Sequence, residues 1–405
     1  MACSRRCTWT LGLLLAPALA AQAAPAGGGA DAPALFATNC AKCHGLDGSG
    51  TGPAVLDRPA RNFKEGGFSF GNTPETIART IAYGIPGSPM PAFETALGEE
   101  QRRALAEYVV TLGPPVKEVS EAETLLHVTD RPLVVRGILP PLVEGEHNIP
   151  RGLLIGTPDG LTFEYTVDDV RLLAVRQGDF VRRTDWGGRG GTPLEPLGKV
   201  VWSDSAAQGP WCDAVAASFA DMGDWAEGRT LAARLLATCS EPAASVSYAV
   251  SSTDADGALL RAHALVTETP GAAELGGHAG FARHFRLSRI GPPTPGRPEF
   301  VTLRLGAWSD ALTEPREVVG ADGQRQTEQW WARATGPETG EVLRIAMPLH
   351  AGVPALAVEP KSAGLGASVN LQRAPEDVVE FELDTFVLSP WSADIVAGLR
   401  QQVGP

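Results

Sequence analysis

The sequence predicts a multidomain chain with two unlike parts, a compact all-α domain over residues 31–115 and a mainly-β, sandwich-like domain over 116–405. Three observations predict this. Helix start and stop signals recur as far as Gly113-Pro114-Pro115. Beyond that point, alternating and clustered runs of β-formers take over. The 46 glycines and 33 prolines favour many turns, and so short strands over long helices. At 405 residues the chain is also too long for one ordinary domain.

Residues 1–23 read as an export signal. Arg5 and Arg6 make a short positive start, and Trp9 to Ala20 is an apolar stretch. Ala18-Leu19-Ala20 and Ala21-Gln22-Ala23 both offer the small-x-small pattern of a cleavage site. The other reading is a buried N-terminal helix. No stretch approaches the ~20 apolar residues that a transmembrane helix needs. Residues 24–30, rich in Gly and Ala, read as a linker. The expected location is therefore the periplasm or the exterior.

The helical part is marked residue by residue. Ala32 to Asn39 leads as a short helix into Cys40. Thr73-Pro74-Glu75 combines a cap residue, Pro in the first turn and an acid, and starts a helix that runs through Ile77 and Ile81 to Gly84. A third helix begins after Gly98-Glu99-Glu100, carries Leu105, Val109 and Leu112 on one face, and stops at Gly113-Pro114-Pro115.

Cys40-Ala41-Lys42-Cys43-His44 is the feature with the most chemistry. Two thiols spaced C-x-x-C reach the two vinyl groups of one haem, and the adjacent imidazole is placed under the iron. A zinc half-site would need a second pair of ligands, and a redox dithiol would want a βαβ setting; neither is present in the sequence. The pattern occurs once, so one covalent haem c is expected. Met90, in Pro89-Met90-Pro91, is the candidate for the second axial position, because flanking prolines lower the entropic cost of holding its thioether in place. The other reading is a Met that fills core space. A His44/Met90 pair raises the reduction potential and leaves no open iron position, which favours electron transfer over catalysis.

These residues resemble the class I cytochrome c family. The resemblance covers about residues 31–113: an N-terminal helix, Cys40-x-x-Cys43-His44, an Arg-containing loop, Met90 before Pro91, and a C-terminal helix ending in Tyr108-Val109-Val110-Thr111-Leu112. It implies that the N- and C-terminal helices cross, with Phe36 against Tyr108. It implies that Pro53 supports the His44 ring through its carbonyl. It also implies that Arg61 partners a haem propionate, the alternative being a solvated surface Arg.

Residues 116–405 say less. Runs at 131–136, 161–167 and 378–383 read as strands, the second with period two, and Arg229 to Cys239 reads as a helix. Trp186 to Gly191 with Arg189 is either a ligand loop or a structural cation–π pair, and Trp308, Trp330 and Trp331 fill a sheet core or edge. The region resembles an uncharacterised β-rich module attached to cytochrome c domains in large secreted bacterial proteins, a resemblance that implies no activity. His278 and His284 sit among glycines in what reads as a loop, without metal-ligand spacing. Cys212 and Cys239 either pair in the oxidising compartment or are two buried thiols.

A net charge of −13 excludes nucleic acid and anionic lipid as natural partners. The expected partner is a redox protein, a dehydrogenase or oxidase, met by a haem edge to which Lys42, Lys64 and Arg79 add local positive charge. The alternative is a cytochrome-fused oxidoreductase, or a carbohydrate-binding protein, whose β domain binds the substrate.

Overall fold

The computed structural model describes residues 31–404 apart from 67, 69, 86–87, 115–119, 185–191, 205–209, 214–229, 255, 292–299, 321–322, 324, 349–355, 362–363 and 372–377. The export signal and linker, and the Trp186/Arg189 loop, therefore lie outside the described residues.

The first part is helical. Helix α1 (Ala32–Asn39) is capped by Asp31, whose carboxylate accepts from the Ala34 N–H, and has Pro33 in its first turn. The short α2 (Ala41–His44) follows at once. Helix α3 (Pro74–Tyr83) starts at Thr73, whose hydroxyl accepts from Thr76 N–H at 3.3 Å, and ends at Gly84 in the left-handed region. Helix α4 is Glu99–Thr111; the Gln101 side chain accepts from the Gly98 N–H at its start. These four helices bury Phe36, Ile77, Ile81, Leu105 and Val109 in one core. Phe36 meets Tyr108 edge to face with ring centres 5.4 Å apart, so α1 lies across α4.

The β-rich part is layered. A nine-stranded antiparallel sheet contains, among others, Ser245–Thr253, Leu259–Leu275, His278–Arg289, Val378–Leu388, Gly340–Pro348 and Arg325–Ala334. Its inner face shares one core with a five-stranded sheet (including Ile149–Gly156, Leu161–Thr166 and Arg171–Gln177) and a four-stranded sheet (including Phe300–Gly306 and Gly364–Asn370). Sheets packed face to face bury one stripe of each strand, which is why Val246, Val266, Phe285 and Phe381 alternate with less buried neighbours.

Two expectations fail here for physical reasons. Residues 232–239 form an edge strand, not a helix. Pairing of Ala232–Cys239 with Ser245–Thr253 overrides the helix propensity of its Ala and Leu residues, and Ala233 is buried in the process. The Leu161–Thr166 strand forms as expected, with both faces covered: Thr162, Glu164 and Thr166 are buried as well, and Glu164 pairs with Arg176. His278 and His284 lie on a strand, because Gly276 and Gly277, both at positive φ, close a tight hairpin after Leu275. A C-terminal helix at Ala393–Val403, for which the sequence carried no expectation, lays Leu399 and Val403 on the outer core beside Trp330 and Phe386. Adjacent tryptophans split between layers, Trp331 inward and Trp330 outward.

Leu231 N–H donates to the Trp211 carbonyl, so the strand Ala232–Cys239 begins beside residue 211 and carries Cys239 away from it. Cys239 is a free thiol that donates to the Glu241 carbonyl at 3.2 Å, whereas the side chain of Cys212 lies outside the described residues.

The outer face also carries a half-buried charge row across the sheet. Arg316 and Arg344 hold Glu328 at 2.6 and 3.1 Å, and Arg344 also meets Glu382 at 3.2 Å and Asp384 at 2.8 Å. Burial pushes the Asp384 carboxyl up to about 6, with the Glu382 charge adding to the rise and Arg344 opposing it. A carboxyl raised above its unfolded value of ~3.9 binds more protons in the folded state, so stability falls as pH rises between about 4 and 6. Urea denaturation across that window is expected to show this slope in the parent chain and to show it reduced in Asp384→Asn.

Candidate functional site

The site is built around α2. The helix is only four residues long, so its carbonyls need partners from outside. The following loop supplies them: Gly50, Gly52 and Ala54 N–H groups donate to the carbonyls of His44, Cys43 and Lys42 at 2.8, 3.1 and 2.9 Å. Gly52 is required by this contact, because a Cβ there would lie 2.3 Å from the Lys42 carbonyl oxygen. The Cys-x-x-Cys-His turn is thus held by backbone bonds of the chain itself.

Cys40 and Cys43 are both free, half-buried thiols three residues apart, the spacing that puts them on one side of a helical turn. Burial, together with the neighbouring Cys43, pushes the Cys40 thiol up to about 11. The His44 ring is fixed from two sides. Its Nδ1 lies 3.1 Å from the Arg61 carbonyl oxygen, and its face stacks on Phe63 with ring centres 4.6 Å apart. A carbonyl can only accept, so Nδ1 carries the proton and Nε2 keeps its lone pair. Burial pushes the His44 pKa down, opposed by the Arg61 carbonyl, which favours the neutral imidazole that a metal requires. Phe63 continues the aromatic layer to Phe68, 5.6 Å away and nearly parallel.

Here the structure corrects one residue role. The carbonyl on the His44 ring belongs to Arg61, 17 residues along the chain, not to Pro53. Pro53 sits in the loop that caps α2 instead. The sequence carried no local signal for the Arg61 backbone, because a carbonyl has no side-chain signature. Two of the three expected surface charges are also engaged: Lys64 pairs with Asp47 at 2.5 Å, and Arg79 donates to the Glu146 carbonyl at 2.7 Å.

Met90 lies on a loop fastened to the end of α3. The Ile85 N–H donates to the Met90 carbonyl at 3.1 Å, and the Met90 N–H donates to the Ser88 hydroxyl at 3.2 Å. Met90 is half-buried. The donor set therefore consists of two free thiols on one turn, an imidazole with Nε2 available, and a thioether on a braced loop. That set fits a covalently attached haem. Among the described residues no group of three or more His, Cys, Asp and Glu side chains forms another metal site. No described helix is long and apolar enough to cross a membrane.

Known proteins are similar over the same segment. Residues 28–109 match the family described as cytochrome c oxidase, cbb3-type, subunit III. The cbb3-type cytochrome c oxidase subunit CcoP of Rhodobacter capsulatus is 38% identical over 86 residues, covering 20% of this chain and 27% of that protein. The subunit FixP of Azorhizobium caulinodans is 38% identical over 79 residues, covering 20% and 25%. The chain thus spans about a quarter of the length of these curated relatives. Among solved structures, a reducing HAO-like protein complex of Kuenenia stuttgartiensis is 28% identical with a TM-score of 0.20, covering 24% of this chain and 50% of that one. The dihydro-haem d1 dehydrogenase NirN, in complex with DHE, is 12% identical with a TM-score of 0.16, covering 81% and 89%. At these TM-scores neither neighbour informs the β-rich region. A cytochrome c domain implies haem c and electron transfer, and residues 28–109 of this chain match such a domain, followed by a large β-rich module.

Proposed function

We propose that the chain is a periplasmic or secreted mono-haem c-type cytochrome that transfers one electron at a time to or from a redox protein. The observation that carries the reading is the preset His44 ring: its tautomer is selected by the Arg61 carbonyl, beside two free thiols on the same turn. Haem bound there would supply the one-electron couple of its iron. Cys40 and Cys43 would hold the group through thioethers. His44 Nε2 and the Met90 thioether would be the protein ligands of its iron, which suits electron transfer. The Arg61 guanidinium would partner a haem propionate, while its carbonyl orients His44. The β-rich module, residues 116–405, docks the partner, a dehydrogenase or oxidase. The chain's net charge of −13 favours a partner with a basic face.

The test is an absorbance spectrum of the exported full chain, oxidised and reduced. The expected result is a single haem that stays with the protein after acid extraction, with a weak far-red ferric band from the thioether–iron bond. Met90→Ala is expected to lose that band and to lower the reduction potential. A chain exported without covalent porphyrin would end the reading. Incubation with sugars or alcohols is expected to leave the oxidised protein oxidised; reduction by one of them would establish an oxidoreductase whose β module binds substrate.

A further inference from the structure

The β-rich module grips the helix from which the Met90 loop hangs. The loop both leaves and returns to the C-terminal turn of α3. Gly84 is pressed so closely onto the returning strand that a Cβ there would lie 2.7 Å from the Met90 carbonyl oxygen and 2.7 Å from Pro91 C. The Phe93 N–H is shared between the carbonyls of Ile81 and Ala82 at 3.0 Å each, and the Glu94 N–H donates to Ala82 O at 3.0 Å. With the Ile85–Met90 bond, these contacts make the end of α3 and the Met90 segment move together.

The other side of α3 is held by the connection between the strands Leu133–Leu139 and Ile149–Gly156, in the β-rich part. Arg79 donates to the Glu146 carbonyl at 2.7 Å. The His147 ring meets the Tyr83 ring edge to face at 5.5 Å and the Phe70 ring at 5.9 Å. Asn148, itself buried, donates to the Phe70 carbonyl at 2.6 Å, and Thr192 donates to the Asn72 side chain at 3.3 Å. Tyr83 is the last residue of α3, and Gly84 opens the Met90 loop. His147 thus touches both the chain that enters α3 and the residue from which the ligand loop departs.

We infer that His147 is a positioning residue for Met90: the β-rich module braces the axial-ligand loop through Tyr83, in addition to any role in docking. The inference rests on Met90 as the second axial ligand. Loosening the brace lets the thioether yield more readily to an outside ligand, without removing the thioether or the haem attachment.

The experiment uses the full chain carrying His147→Ala, His147→Phe, Arg79→Ala and Met90→Ala. One readout is imidazole binding to the ferric protein, followed by loss of the far-red band. The second is amide hydrogen exchange at Ile85, Phe93 and Glu94, which reports on the loop whether or not Met90 is a ligand. His147→Ala is expected to bind imidazole about two- to tenfold more tightly, as the loss of one aromatic contact allows. It is also expected to speed exchange at the three amides. His147→Phe, which keeps an aromatic ring, is expected to restore both. Arg79→Ala, a part-exposed change on α3, is expected to act in the same direction and guards against a misfolded His147→Ala. Unchanged imidazole affinity and exchange in both His147→Ala and Arg79→Ala would overturn the brace. A parent spectrum without the far-red band and unaltered by Met90→Ala would instead remove Met90 as ligand. The exchange comparison would then separate that failure from this one.

Discussion

A Cys40→Ser, Cys43→Ser chain is expected to reach its destination without covalently held haem. Serine has no thiol to add to a vinyl group, so neither thioether forms. His44 alone then provides a reversible contact, and acid extraction strips all colour from the protein. The single change Cys43→Ser is expected to retain one thioether and part of the colour. The same double variant is expected to melt at a lower temperature in its helical part. That part has a small core of residues such as Phe36, Ile77, Leu105 and Val109. A domain of this size buries too little apolar surface to be robust alone, and a group bound only by the folded state adds stability through linkage. Absorbance after extraction, and circular dichroism on heating, check the two halves of the expectation. Full retention of colour in the double variant would remove the thioether assignment.

The second large effect lies at the centre of the sandwich. Glu268 has 0% exposure and receives three donors: Arg283 Nε at 2.7 Å, Tyr165 OH at 2.8 Å and Tyr248 OH at 3.4 Å. Trp211 Nε1 in turn donates to the Tyr248 hydroxyl at 3.3 Å. Burial, then the Glu268 charge, pushes both tyrosines well above their ordinary value, so they remain donors at any working pH. Tyr165 belongs to the five-stranded sheet and Glu268 to the nine-stranded one, so this carboxylate joins the two layers. Glu268→Ala strands Arg283 and two hydroxyls without an acceptor and is expected to cost about 3–5 kcal/mol. Urea unfolding of the full chain, followed by tryptophan fluorescence, measures it. Replacing the pair together, Glu268→Leu with Arg283→Met, is expected to recover much of the loss, because no charge is then left unpaired. A loss under about 1 kcal/mol in Glu268→Ala would show that water reaches the site.

The failures of sequence reasoning share a cause. Helix propensity predicted residues 229–239 as a helix, yet the described portion is held by a strand partner at 245–253. Period two at 161–167 predicted a strand, which forms, but not that both of its faces are covered, with Thr162 and Glu164 buried. The family resemblance assigned Pro53 to the His44 ring, and the ring turned to the carbonyl of Arg61. In the helix and Pro53 cases, the partner that decides the outcome comes from elsewhere in the chain.

The residues alone determined what is written within a few positions. Examples are the thiol pair with its imidazole, the Thr73-Pro74 helix start, the Gly84 stop, the Leu105 and Val109 helix face, and the β character beyond residue 116. Covalent spacing, capping and periodicity act over one or two turns of chain and so are legible locally. Only the tertiary structure decided which carbonyl selects the His44 tautomer, which strand holds Ala232–Cys239, how Glu268 joins two sheets, and that His147 reaches Tyr83. Those outcomes depend on segments from far along the chain meeting in space, and the pairing that wins is the one that leaves the fewest buried polar groups unsatisfied.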